Sequence, residues 1–174
     1  KPYLHVFDAE GKKPITKGAG GQFTHHRGIF IGWSSTKANG KSYDRWHMKG
    51  GDIVHQKFLK QEVKDGTATF TSVTHWMDES AKPFMEEERT FMVSEGKHGG
   101  RVMIDFHTKL SPVNGDVFLK GDPEHAGVQY RPANEVEKKK TKYLFPNGVT
   151  QVKGVKDLPW AAENYTLSGK EYGV

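Results

Sequence analysis

Nine histidines stand in this chain of 174 residues, and His5, His25, His26, His47 and His55 all fall in its first third. An imidazole titrates near neutrality, so it can give or take a proton there. Three segments set histidines beside other ligand-binding side chains. In Phe23-Thr24-His25-His26-Arg27-Gly28, two imidazoles precede a guanidinium, and Gly28 lets a backbone or ligand come close. On an extended chain His25 and His26 point to opposite sides, so one would face a site and the other a structural hydrogen bond. In Asp44-Arg45-Trp46-His47 an imidazole follows an indole. His55 comes after Gly50-Gly51, a turn that would fold His47 and His55 onto neighbouring strands. In the stretch from Gly121 to Arg131, His125 follows the turn Asp122-Pro123, and alternation puts Gln129 and Arg131 on one strand face.

Three readings fit this set. Trp46 could stack on a sugar ring while His, Arg and Gln side chains fix its hydroxyls. Three imidazoles, with or without a carboxylate, could instead hold a divalent metal such as Zn, Cu, Ni or Fe, although no His-x-His or His-x-x-x-His pair makes the spacing diagnostic. Single histidines could also be satisfied core or surface residues. Among the acidic residues, alternation sends Glu87 to the opposite side from Glu86 and Glu88. A carboxylate buried there could act as a general base. No nucleophile motif, phosphate loop or dinucleotide fingerprint is present.

The elements that would position these residues read as strands. Ala68, Phe70, Ser72, Thr74 and Trp76 alternate against Thr69, Thr71, Val73 and His75. Met85, Glu87, Arg89 and Phe91 oppose Glu86 and Glu88. Val102, Ile104, Phe106 and Leu110 form an apolar face. Asp116 to Lys120, Ala126 to Arg131 and Tyr165 to Leu167 are shorter candidates. Asp65-Gly66, Asn114-Gly115, Asn147-Gly148 and Ser168-Gly169 punctuate them as turns. The expected fold is all-β, an antiparallel β-sandwich or barrel, with under about a fifth of residues in helix. Pro132 to Lys142 suits a helix or a loop equally.

Composition sets the outer bounds. The chain is expected to be one domain over residues 1–174. There is no cysteine, which excludes disulfides, thiolate metal sites and cysteine nucleophiles. No apolar run is long enough to span a bilayer as a helix. The net charge is +5, but Lys outnumbers Arg and the densest run, Lys138-Lys139-Lys140, reads as a solvated edge, so no nucleic-acid partner is expected.

The run from Phe23 through Gly28 to Trp33, then Asp44-Arg45-Trp46-His47, then Gly51-Asp52-Ile53-Val54-His55, resembles a family of bacterial proteins catalogued as methane oxygenase PmoA. The Gly121 to Arg131 stretch and Leu158-Pro159-Trp160 fit it too, so the resemblance covers nearly the whole chain. Thr24 stands where that family has proline. Its members also run beyond the equivalent of Val174, so this chain is expected to be incomplete at its C-terminus, with a sheet edge left open there. The resemblance implies a secreted or periplasmic β-sandwich from polysaccharide-degrading bacteria, with a supersandwich like that of galactose mutarotase as the fold analogue.

The resulting expectation is a carbohydrate-active protein that acts on a sugar or modified glycoside. His26, His47 and His55 would do acid–base work. His25, Arg27, Trp46, His125, Gln129 and Arg131 would bind substrate. At least three of these side chains should then open onto one concave site. The alternatives are a His-ligated metal-dependent enzyme and a non-catalytic glycan-binding or structural sandwich.

Overall fold

The computed structural model describes residues 1–150 and 157–174. It is all-β and sandwich-like, built of antiparallel sheets. Two single-turn 3-10 segments, at Lys138–Lys140 and Pro146–Gly148, are the only helical elements among the described residues. The chain divides into two compact units. One comprises Lys1–Leu4 and Phe30–Gln129, the other His5–Ile29 and Tyr130–Val174.

The first unit holds a large sheet in the order β4 (Ile53–Lys64), β5 (Thr67–Met77), β6 (Pro83–Glu95) and β7 (Val102–Pro112). A smaller sheet runs β3 (Lys41–Tyr43), β2 (Ser35–Ala38), β8 (Val117–Lys120), and β1 (Ile29–Trp33) pairs with β9 (Ala126–Tyr130). Side chains from all three sheets share one core. Ile31, Ala38, Tyr43, Ile53, Trp76, Phe84 and Met85 are buried in it, and Trp33, Phe106 and Leu110 pack against it. Burying each of the larger side chains contributes about 1.5–3 kcal/mol, which fixes which face of each strand turns inward.

The alternation read from the sequence is the one observed on β6. Met85, Glu87, Arg89 and Phe91 are buried, while Glu86 and Glu88 are exposed. On β5, burial extends to both faces at Thr71 to Thr74. Of the expected turns, Asp65-Gly66 and Ser168-Gly169 are hairpin turns, whereas Asn147-Gly148 ends a 3-10 segment. Asn39-Gly40, Asp65-Gly66 and Ser168-Gly169 each close a two-residue hairpin, with φ positive at both positions. That is the type I′ geometry, and it matches the twist of the flanking strands.

The inward-facing carboxylate of Glu87 sits in a closed network. Arg89 donates to it twice, at 2.7 and 2.8 Å. Trp76 Nε1 donates at 2.9 Å, and the hydroxyls of Thr74 and Thr108 donate at 3.2 and 2.9 Å. Burial would raise the Glu87 pKa, but the adjacent Arg89 charge and these hydrogen bonds outweigh it and hold the carboxyl below its ordinary value. Glu87 is thus fixed in the ionised form as a structural ion pair, and the general-base role considered for it does not fit.

The second unit contains the sheet β10 (Lys142–Leu144), β11 (Ala162–Leu167), β12 (Lys170–Gly173), with β12 at its edge. Its core gathers Ile15, Ala133, Tyr165 and Leu167. Pro132 to Lys142 is mostly irregular, with a single 3-10 turn.

Candidate functional site

Two short turns of the first unit carry its candidate site, and both are anchored at the exit of β1. The backbone N–H of Arg45 donates to the carbonyl of Trp33 at 2.9 Å, and the N–H of Ser34 donates to the carbonyl of His125 at 2.9 Å. Glycines make these approaches possible. A Cβ on Gly32 would lie 2.5 Å from the Arg45 carbonyl oxygen, and one on Gly121 would lie 2.9 Å from that of His125.

In the first turn, Asp44 Oδ1 accepts from the backbone N–H groups of Trp46 and His47, at 3.1 and 2.8 Å. Its other oxygen lies 2.8 Å from His47 Nδ1. Arg45 is fully buried, and its guanidinium donates to the carbonyls of Asp44, Lys49, Gly50 and Met77. Gly51 is required beside it, because a Cβ there would meet the guanidinium at 2.5 Å. In the second turn, Asp122 Oδ1 accepts from the N–H of Glu124 at 3.0 Å and lies 2.7 Å from His125 Nδ1. The bond to His125 is the main reason that the Asp122 carboxyl is held below its ordinary value.

The two aspartate–histidine pairs meet. The rings of His47 and His125 are 5.0 Å apart between centroids, tilted by 37°. The Trp46 indole stands edge-on to His125 at 5.4 Å. Both imidazoles are partly exposed, with side-chain exposures of 26% and 32%. An ionised carboxylate can only accept a hydrogen bond, so Nδ1 of each ring carries the proton and the lone pair of the neutral ring lies on Nε2. The arrangement offers two oriented bases side by side.

Three expectations need correction. Trp46 is not an open stacking platform. It is fully buried against Phe30, at 5.0 Å, because the Asp44 turn folds it inward. His25 and His26 do not diverge. The segment is a turn closed by the His26 N–H on the Phe23 carbonyl, which brings the two rings to 4.4 Å. His47 and His55 do not sit on neighbouring strands. His47 lies in the Asp44 turn, and His55 is exposed on β4, the edge strand of its sheet, with its ring against Phe58 at 4.6 Å.

The remaining candidates are scattered in role. Gln129 lies half-buried on β9. Arg27 Nε donates to the Thr24 carbonyl at 2.9 Å and braces its own turn. Arg131 is half-buried, and burial pulls its pKa down while the charge of Glu163 pulls it up. Among the described residues no group of three or more His, Asp or Glu side chains is arranged to hold a metal ion. The sequence reading passed over Asp44 and Asp122 as functional groups. Their signal was an Asp-x-x-His spacing that occurs at both places.

The fold and this site define a sandwich-like all-β protein with paired, carboxylate-held histidines. The chain belongs to a family of unknown function, DUF6807, whose model matches residues 1–174. No curated protein and no solved structure matches the chain. No helix among the described residues is long and apolar enough to cross a membrane.

Proposed function

We propose that the protein is a secreted or periplasmic carbohydrate-active enzyme that works on a sugar or modified glycoside by histidine acid–base chemistry. The observation that carries this reading is the pair of imidazoles at 5.0 Å, each held at Nδ1 by an aspartate. A neutral ring takes a proton from a substrate hydroxyl or C–H at Nε2. The carboxylate behind it then faces an imidazolium and stabilises the charge. With the rings side by side, one can remove a proton while the other returns one at an adjacent atom of the same substrate. His47 and His125 fill these roles better than His55, which lies exposed on a strand edge. The closer placement with the PmoA-like proteins rests on the resemblance carried by His25-His26-Arg27-Gly28 and Trp46-His47, and the extracytoplasmic setting rests on the same resemblance.

The test is turnover of a panel of oligosaccharides and polysaccharides, read by product analysis. His47→Ala and His125→Ala should each abolish product formation while the far-UV spectrum and melting temperature stay unchanged. Turnover that survives both substitutions would remove the acid–base role. Absence of any turnover by the unaltered protein would favour a binding protein.

A further inference from the structure

The second unit carries a loop with an exposed aromatic side chain in the left-handed region at its tip. Residues 17–28 form a loop closed at the base by the Gly28 N–H on the Lys17 carbonyl at 2.8 Å. Lys17 is buried, and its ammonium donates to the carbonyls of Gly18 and Gly20. This ties the glycine segment down from inside, as in compact Ω-loops. At the tip stands Phe23, 54% exposed, with a φ of +53°. A bulky side chain in the left-handed region is strained, and an exposed benzyl ring adds little to stability. Its ring lies 5.2 Å from that of His26 and 6.1 Å from that of His25, so three rings cluster at the tip.

We propose that this tip is a carbohydrate-contacting arm in which Phe23 supplies the stacking face. A pyranose presents an apolar C–H face bounded by hydroxyls. Phe23 matches that face. This inference rests on the carbohydrate reading and adds to it a binding residue outside the Asp–His pairs.

The experiment is affinity electrophoresis of the whole chain through gels cast with soluble polysaccharides, a neutral xylan, a galactan and an acidic pectin. Phe23→Trp should keep retardation. Phe23→Ala should weaken it by roughly tenfold, the worth of one aromatic stack. Phe23→Gly should lose retardation equally while melting at the same or a higher temperature, because glycine relieves the left-handed strain. Retardation unchanged in Phe23→Ala and Phe23→Gly overturns the inference and leaves the carbohydrate reading standing. A marked fall in melting temperature for both variants also overturns it, since Phe23 would then be a packing residue. An unaltered protein that no gel retards overturns the carbohydrate reading and this inference with it.

Discussion

The imidazoles of His47 and His125 lie 5.0 Å apart between centroids, and each is pinned at Nδ1 by the aspartate three positions before it. Two local turns of the same design thus become one site, because both are hydrogen-bonded to the end of β1 at Trp33 and Ser34.

Removing either carboxylate should change the chemistry of the ring behind it without unfolding the protein. An asparagine at position 44 can present its N–H₂ to Nδ1 and favour the other tautomer. Asp44→Asn should therefore move the proton of His47 toward Nε2, visible in the long-range ¹⁵N–¹H spectrum of the ring. Turnover should fall by about 10²–10⁴, the usual worth of a positioned acid or base. An unchanged tautomer would show that Asp44 only shapes the turn.

His55→Ala should leave turnover intact and shift stability by less than about 0.5 kcal/mol, as exposed positions usually do. A loss comparable to that of His47→Ala, measured on the same substrate, would return His55 to the site.

Trp46→Ala should lower stability by about 3–5 kcal/mol in urea, since the indole is fully buried and a large cavity would be left. A loss of ligand binding with little loss of stability would instead mean that the ring is reached by substrate.

Glu87 ties stability to acid. Its folded-state pKa lies below the ordinary 4.5, so the unfolded chain binds the proton more readily. The stabilisation is then fully present above that value and is lost as pH falls through the folded pKa. Glu87→Gln should flatten this part of the stability profile. It should also cost about 3–5 kcal/mol near neutrality, because Arg89 is left buried beside a neutral group. Urea midpoints measured from neutrality into acid would reveal both effects.

Gly32→Ala should weaken both the fold and the site. Its methyl group would press on the Arg45 carbonyl at 2.5 Å, and backbone cannot swing aside as a flexible side chain can. The expected cost is about 1–3 kcal/mol by thermal or urea unfolding, with turnover reduced in the surviving folded protein. Wild-type activity in this variant would mean that the Asp44 turn is held from elsewhere.

The sequence by itself determined the local part of this protein. Period-two alternation placed β5, β6 and β7 as strands, and on β6, where one face is covered, it correctly separated Glu87 from its neighbours; it did not foresee that β5 is covered on both faces at Thr71 to Thr74, or that Val102 of the expected apolar face of β7 is exposed. Dipeptides such as Asp65-Gly66 marked hairpins, because few residues tolerate two positive φ angles in succession. What tertiary structure decided is which of the histidines meet. His25 and His26 converge because the chain turns at Phe23, and a strand-based reading of adjacent residues cannot foresee that. His47 and His125 are distant in sequence, and their encounter depends on two carbonyl–amide contacts at the end of β1 that no pattern of residue types encodes. Trp46, which looked like a binding platform by type, became core because the aspartate before it bends the chain inward. Side-chain chemistry is carried by the residue, but burial and proximity belong to the packed fold.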